Sequence, residues 1–124
     1  MLHHLSFAVV DLARSAAFYD AALSAHVLLR SETQESAWTP FRNNSGQEIP
    51  YGLGWFVQTL DGDRVLWHYG LWGNSFSSLI LKVPSRQLTL ILLANSDGLS
   101  ARFPLAAGDV TVSPFASAFL KIVR

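Results

Sequence analysis

The sequence predicts an α+β domain, an antiparallel sheet of about five strands with helices packed on it. Three features carry that expectation. Apolar and β-branched runs recur between residues 51 and 95, separated by short turn clusters. An apolar pattern at helical spacing follows Asp11. A second helix start, Ser113-Pro114, stands near the end of the chain.

Leu2 to Val10 reads as the first strand. Asp11 suits a helix N-cap, because its carboxylate can accept the free amide hydrogens of the first turn. Leu12, Ala16, Tyr19 and Leu23 then fall on one face, which predicts an amphipathic helix from Asp11 to about Ala25. Ser31 to Trp38 reads as a short second helix stopped by Pro40, and Asn43-Asn44-Ser45-Gly46 as a turn. Tyr51 to Thr59 and Arg64 to Tyr69 read as paired strands around the turn Asp61-Gly62-Asp63. Ser75 to Val83 and Gln87 to Asn95 continue the meander across Pro84-Ser85-Arg86. The last of these strands is apolar on both faces, so it is expected to be central and covered on both sides. Ser113-Pro114 opens a closing helix whose greasy face carries Phe115, Phe119 and Leu120.

With 124 residues the chain is sized for one domain, 1–124. Half of it is hydrophobic and 15% is charged, so it has more apolar surface than a small domain readily buries. A homo-oligomer is expected. The formal net charge is zero and no basic cluster stands out, which gives nucleic-acid binding no electrostatic support. Without cysteine there is no disulfide and no thiolate metal site. No signal-peptide pattern opens the chain and no apolar run is long enough for a membrane span, so a cytoplasmic protein is the expectation.

Two stretches resemble known families. His3 to Asp20, with Asp11-Leu12-Ala13-Arg14-Ser15 and Phe18-Tyr19 after a strand bearing His4, resembles the opening strand and helix of the glyoxalase/bleomycin-resistance (vicinal oxygen chelate) family. That likeness covers residues 1–25. From about Leu28 to the end, the chain resembles the C-terminal part of serine β-lactamase-related hydrolases, the class C and penicillin-binding-protein-like esterases. It rests on Trp38-Thr39-Pro40, Tyr51-Gly52-Leu53-Gly54-Trp55, His68-Tyr69-Gly70, and Leu90 to Ser96. Side by side, the two read as a chimera, joined between Ser24 and Leu28.

The second resemblance implies a serine nucleophile in a Ser-x-x-Lys motif, where the Lys helps the Ser lose its proton. The two lysines here, Lys82 and Lys121, are preceded three residues earlier by Leu79 and Ala118. The family's Tyr-x-Asn element is missing too: Tyr19, Tyr51 and Tyr69 are followed two residues later by Ala21, Leu53 and Leu71. The third element is matched. His68-Tyr69-Gly70 stands where the family places Lys/His-x-Gly on the strand that lines the active site. The resemblance implies His68 as the catalytic candidate and Tyr69, Gly70 and Trp72 as substrate-binding candidates. Read as ordinary residues, His68 is a half-buried strand histidine, and Trp55, Trp67 and Trp72 are core or interface.

Ser75, Ser77 and Ser78 fall in the hairpin beside His68, and Asp61 and Asp63 in the adjoining turn. An acid that orients the histidine is what such a set would need, whereas turn aspartates usually serve turn geometry. In the glyoxalase-like family the first strand supplies a metal ligand, which His4 matches. His3 and His4 are adjacent and point to opposite faces of a strand, so one subunit does not bring both to one ion. No metal and no cofactor are expected, and a small-molecule ligand is left open. Gly52 and Gly54 do not precede a helix, so no nucleotide loop is formed. The expected function is a self-associating, catalytically incomplete β-lactamase-related protein with a glyoxalase-like N-terminus. The alternatives are a weak ester or lactam hydrolase built around His68 in an oligomeric cleft, and metal binding through the N-terminal histidines.

Overall fold

A computed structural model of the chain describes residues 30–122. The expected first strand and first helix, and with them His3 and His4, lie outside the described residues. The chain divides into two compact units, Met1–Gln34 and Glu35–Arg124. The described part of the first is residues 30–34, of which Ser31 to Gln34 open helix α1 (Ser31–Ala37). That helix buries no residue.

The second unit carries an α+β architecture. A small hairpin, β1 (Phe41–Arg42) and β2 (Glu48–Ile49), is followed by a four-stranded antiparallel sheet. Its strands are β3 (Phe56–Leu60), β4 (Asp63–Trp72), β5 (Phe76–Val83) and β6 (Leu88–Ala94), in that spatial order. Helix α2 (Pro114–Ile122) closes the chain. The four expected meander strands are therefore present.

Turn chemistry sets the register. Asp61 and Gly62, both at positive φ, link Leu60 to its partner Asp63. Two left-handed residues in succession give the turn that matches the twist of a hairpin. Asn74, also at positive φ, lies in the turn that closes Trp72 against Phe76. A 3-10 turn at Pro84–Arg86, with left-handed Gln87 behind it, joins Val83 to Leu88. In β1–β2, which was expected only as a turn, Asn43 Oδ1 accepts from the amides of Ser45 and Gln47 and from Ser45 Oγ.

Alternation along the strands selects one core face. Val65 and Trp67 of β4 and Leu79, Leu81 and Val83 of β5 are buried there, with Leu90 and Leu92 of β6 packed beside them. Leu105, Val110, Ala116 and Leu120 cover them from the C-terminal segment. Two 3-10 turns, Leu105–Ala107 and Val110–Val112, fold that segment back. Gln58 clamps it to the sheet: its Nε2 donates to Asp109 Oδ1 at 2.9 Å and its Oε1 accepts from Val110 N at 3.0 Å. Ser113 starts α2 as expected, accepting at its carbonyl from Ser117 N and at Oγ from Ala116 N.

Two expectations need correction. The first concerns β6. Among the described residues it is an edge strand of the sheet, and Ile91 and Leu93 are 61% and 80% exposed. A continuous apolar run shows that a strand is greasy on both sides; it does not show that both sides are covered. The second concerns Tyr51 to Thr59. The regular strand begins only at Phe56, and Tyr51 makes an isolated bridge to Phe56. Gly54 takes a positive φ of 78°, which turns the chain out of the strand.

Candidate functional site

The site is built where β3 ends and β4 continues. Pairing with β3 covers β4 from Asp63 to Trp67. From His68 to Trp72, β4 pairs with β5 alone. Among the described strands this leaves one backbone edge of the His68–Trp72 segment without a neighbour. An open cleft sits there, lined by Tyr51, Phe56, His68, Tyr69 and Leu71.

Tyr51 reaches this place because its own loop is braced. Phe41 N donates to Tyr51 O at 3.0 Å, Gly52 N to Trp55 O at 2.7 Å, and Leu53 N to Ala37 O at 2.9 Å. Gly52 lies against the carbonyls of Ala37 and Thr39 so closely that a Cβ would meet backbone oxygen. Only glycine fits that approach. The loop sets the Tyr51 hydroxyl 3.0 Å from His68 Nε2, with donor and acceptor roles fixed by the histidine tautomer. The ring of Phe56 stands edge-on to Tyr51 at 4.7 Å and 79°, and that of His68 is 6.0 Å from Tyr51.

The four residues singled out from the sequence have different surroundings. His68 is half-buried and faces away from the core, opposite Ile80. Tyr69 points to the core face, with its ring 6.1 Å from Phe56 and 6.4 Å from Trp67. Gly70 sits across from Ser78, whose Oγ would lie 2.5 Å from a Cβ on it, and its carbonyl accepts from buried Ser100 Oγ at 3.2 Å. Trp72 is exposed at the hairpin tip, stacked on Phe76 at 6.1 Å and 20°. The cleft gathers His68 and Tyr69, while Gly70 and Trp72 are not among its lining residues.

Of the serines and acids beside His68, Ser78 lies on the same face of the sheet, across from Gly70, whereas Ser77 and Asp63 are engaged elsewhere. Ser77 is buried on the opposite face; its Oγ donates to Ser96 O at 2.6 Å and accepts from Leu99 N at 3.1 Å. Asp63 accepts from Ser85 Oγ and Arg86 Nε at 2.6 and 2.8 Å. Those two bonds, that from Ser85 first, hold its carboxyl below the usual aspartate range. Asp61 occupies the β3–β4 turn at positive φ. The group bonded to His68 is thus a tyrosine, where a hydrolytic triad would use an acid.

Tyr51 as the partner of His68 was not read from the sequence. Its signal was Gly52 and Gly54, two glycines spaced within a supposed strand, which mark close backbone approach or a break in pairing. Among the described residues no cluster of three or more His, Asp or Glu could hold a metal ion. No helix among them is long and apolar enough to cross a membrane.

Over 80 residues the chain is 32% identical to penicillin-binding protein 4* of Bacillus subtilis (strain 168). The match covers 64% of this chain and 18% of that protein, so the chain spans under a fifth of the relative's length. It marks a β-lactamase-related region. No family profile matches the chain, and no solved structure matches it.

Proposed function

We propose that this β-lactamase-related region serves as a binding wall and does not carry out the hydrolysis of the parent family. The open edge of β4 from His68 to Trp72 carries this reading. In the family that the sequence resembles, the corresponding strand receives the substrate. The relative's name records penicillin binding; for this chain the counterpart is a wall that receives an acyl compound beside His68 and Tyr51. The 124 residues contain no Ser-x-x-Lys to attack it. The same reading takes residues 1–25 as a glyoxalase-like piece joined to this region.

Self-association belongs to the proposal. Ile91 and Leu93 lie on the outer face of β6, which is an edge strand among the described residues and carries no charged residue, an arrangement prone to pairing with another chain. The test of catalytic silence is turnover of a chromogenic ester and a chromogenic β-lactam, with His68→Ala as control.

A weak hydrolase is the second reading. The bond between Tyr51 Oη and His68 Nε2 favours it, because an imidazole beside a hydroxyl is the start of a base-assisted step. The same assay separates the two.

A further inference from the structure

We propose that the cleft at the open edge of β4 takes an uncharged aromatic carbonyl compound, an aryl amide or aryl ester, and discriminates against the corresponding carboxylate. This rests on the reading of that edge as a binding wall and adds the class of ligand.

Ring chemistry comes first. Tyr51, Phe56, His68 and Tyr69 contribute rings to the lining and Leu71 an aliphatic side chain. Tyr51 stands edge-on to Phe56 and steeply inclined, at 61°, to His68. Rings set at such angles present both faces and edges, and a further aromatic ring packs on either.

The His68–Tyr51 pair keeps one proton free for a ligand. A neutral imidazole carries one N–H and a phenol one O–H. The bond between His68 Nε2 and Tyr51 Oη uses one of these two protons. If His68 donates, the tyrosine O–H is left over. If Tyr51 donates, the proton left over is that on Nδ1. Either tautomer leaves the pair with one proton to offer, which suits a carbonyl oxygen.

Charge comes third. None of the five lining residues is Lys, Arg, Asp or Glu. A carboxylate entering the cleft would give up water with no cation among them to replace it, whereas an amide or ester would lose little.

The experiment uses the whole 15N-labelled chain. Benzamide, benzoate and cyclohexanecarboxamide are titrated separately and followed by backbone amide shifts. Benzamide should move the amides of Tyr51, Phe56 and His68 through Leu71, and bind about tenfold more tightly than benzoate. Cyclohexanecarboxamide should be several-fold weaker than benzamide. The double variant Tyr51→Phe/His68→Leu, once its folding is checked by circular dichroism, should bind benzamide several-fold more weakly through loss of the one proton the pair offers, and benzoate no more tightly than the parent does. Benzoate binding as tightly as benzamide at these positions would overturn the ligand class and leave the wall standing. Cyclohexanecarboxamide equal to benzamide would overturn its aromatic part. No shifts at these positions with any probe would remove both the class and the binding wall.

Discussion

Tyr51 and His68 stand 17 residues apart in sequence and meet at 3.0 Å, phenol oxygen to Nε2. Their meeting depends on the loop that carries Tyr51, and that loop depends on Gly52. A Cβ at Gly52 would run into Ala37 O and come 2.9 Å from Thr39 O. Backbone oxygens cannot swing aside as a side chain would. Gly52→Ala is therefore expected to cost about 2 kcal/mol or more, and to move the Tyr51 side chain away from His68. Chemical denaturation reads the first effect and the imidazole NMR signals of His68 read the second. A variant as stable as the parent with unchanged signals would show that the loop has slack.

Trp67 offers a different balance. It is fully buried and its ring stacks on Phe56 at 4.3 Å, but its Nε1 has no hydrogen-bond partner among the described residues. An unsatisfied buried donor costs about 1–3 kcal/mol. Trp67→Phe removes that donor and opens a cavity of comparable cost. The net change in urea unfolding should stay within about 1 kcal/mol, against about 3–5 kcal/mol for Trp67→Ala. Equal losses in the two variants would contradict this balance.

Much of the sheet was legible because its turns are local. Asp61-Gly62 encodes two left-handed residues, and the alternation of β5 encodes its buried face. The start of α2 was legible in Ser113-Pro114 for the same reason. The position of β6 in the sheet was not, because strand order is set by distant partners that a single apolar run does not specify. The site was half legible. His68 and Tyr69 stood in a motif, but Tyr51 required the loop geometry that Gly52 and Gly54 impose.

Acid stability should depend on Asp109. Its carboxylate accepts from Thr111 N, Thr111 Oγ1 and Gln58 Nε2. The Thr111 hydroxyl first, and Gln58 next, hold it below the ordinary aspartate range. A group depressed in the folded state contributes full stability above its unfolded value and loses it as pH falls toward the folded one. Asp109→Asn should thus be less stable at neutral pH by about 1 kcal/mol, a typical loss at a cap. Its stability should then fall less steeply than the parent's below about pH 4. Parallel pH profiles for parent and variant would refute the assignment.

The exposed face of β6 should govern self-association. Leu93 is 80% exposed, so Leu93→Lys should change the stability of the fold by no more than about 0.5 kcal/mol. A charge on an edge strand opposes pairing with another chain. Sedimentation velocity should show an assembled parent shifting toward monomer in the variant. A parent that stays monomeric at high concentration would end the proposal of self-association.

The central claim is a wall without a nucleophile, and turnover tests it most directly. A chromogenic ester and a chromogenic β-lactam are offered to the parent chain and to His68→Ala at equal concentration. The expected result is no turnover above buffer for either protein. Turnover by the parent that disappears in His68→Ala would contradict the claim and make His68, with Tyr51 beside it, part of a working hydrolase.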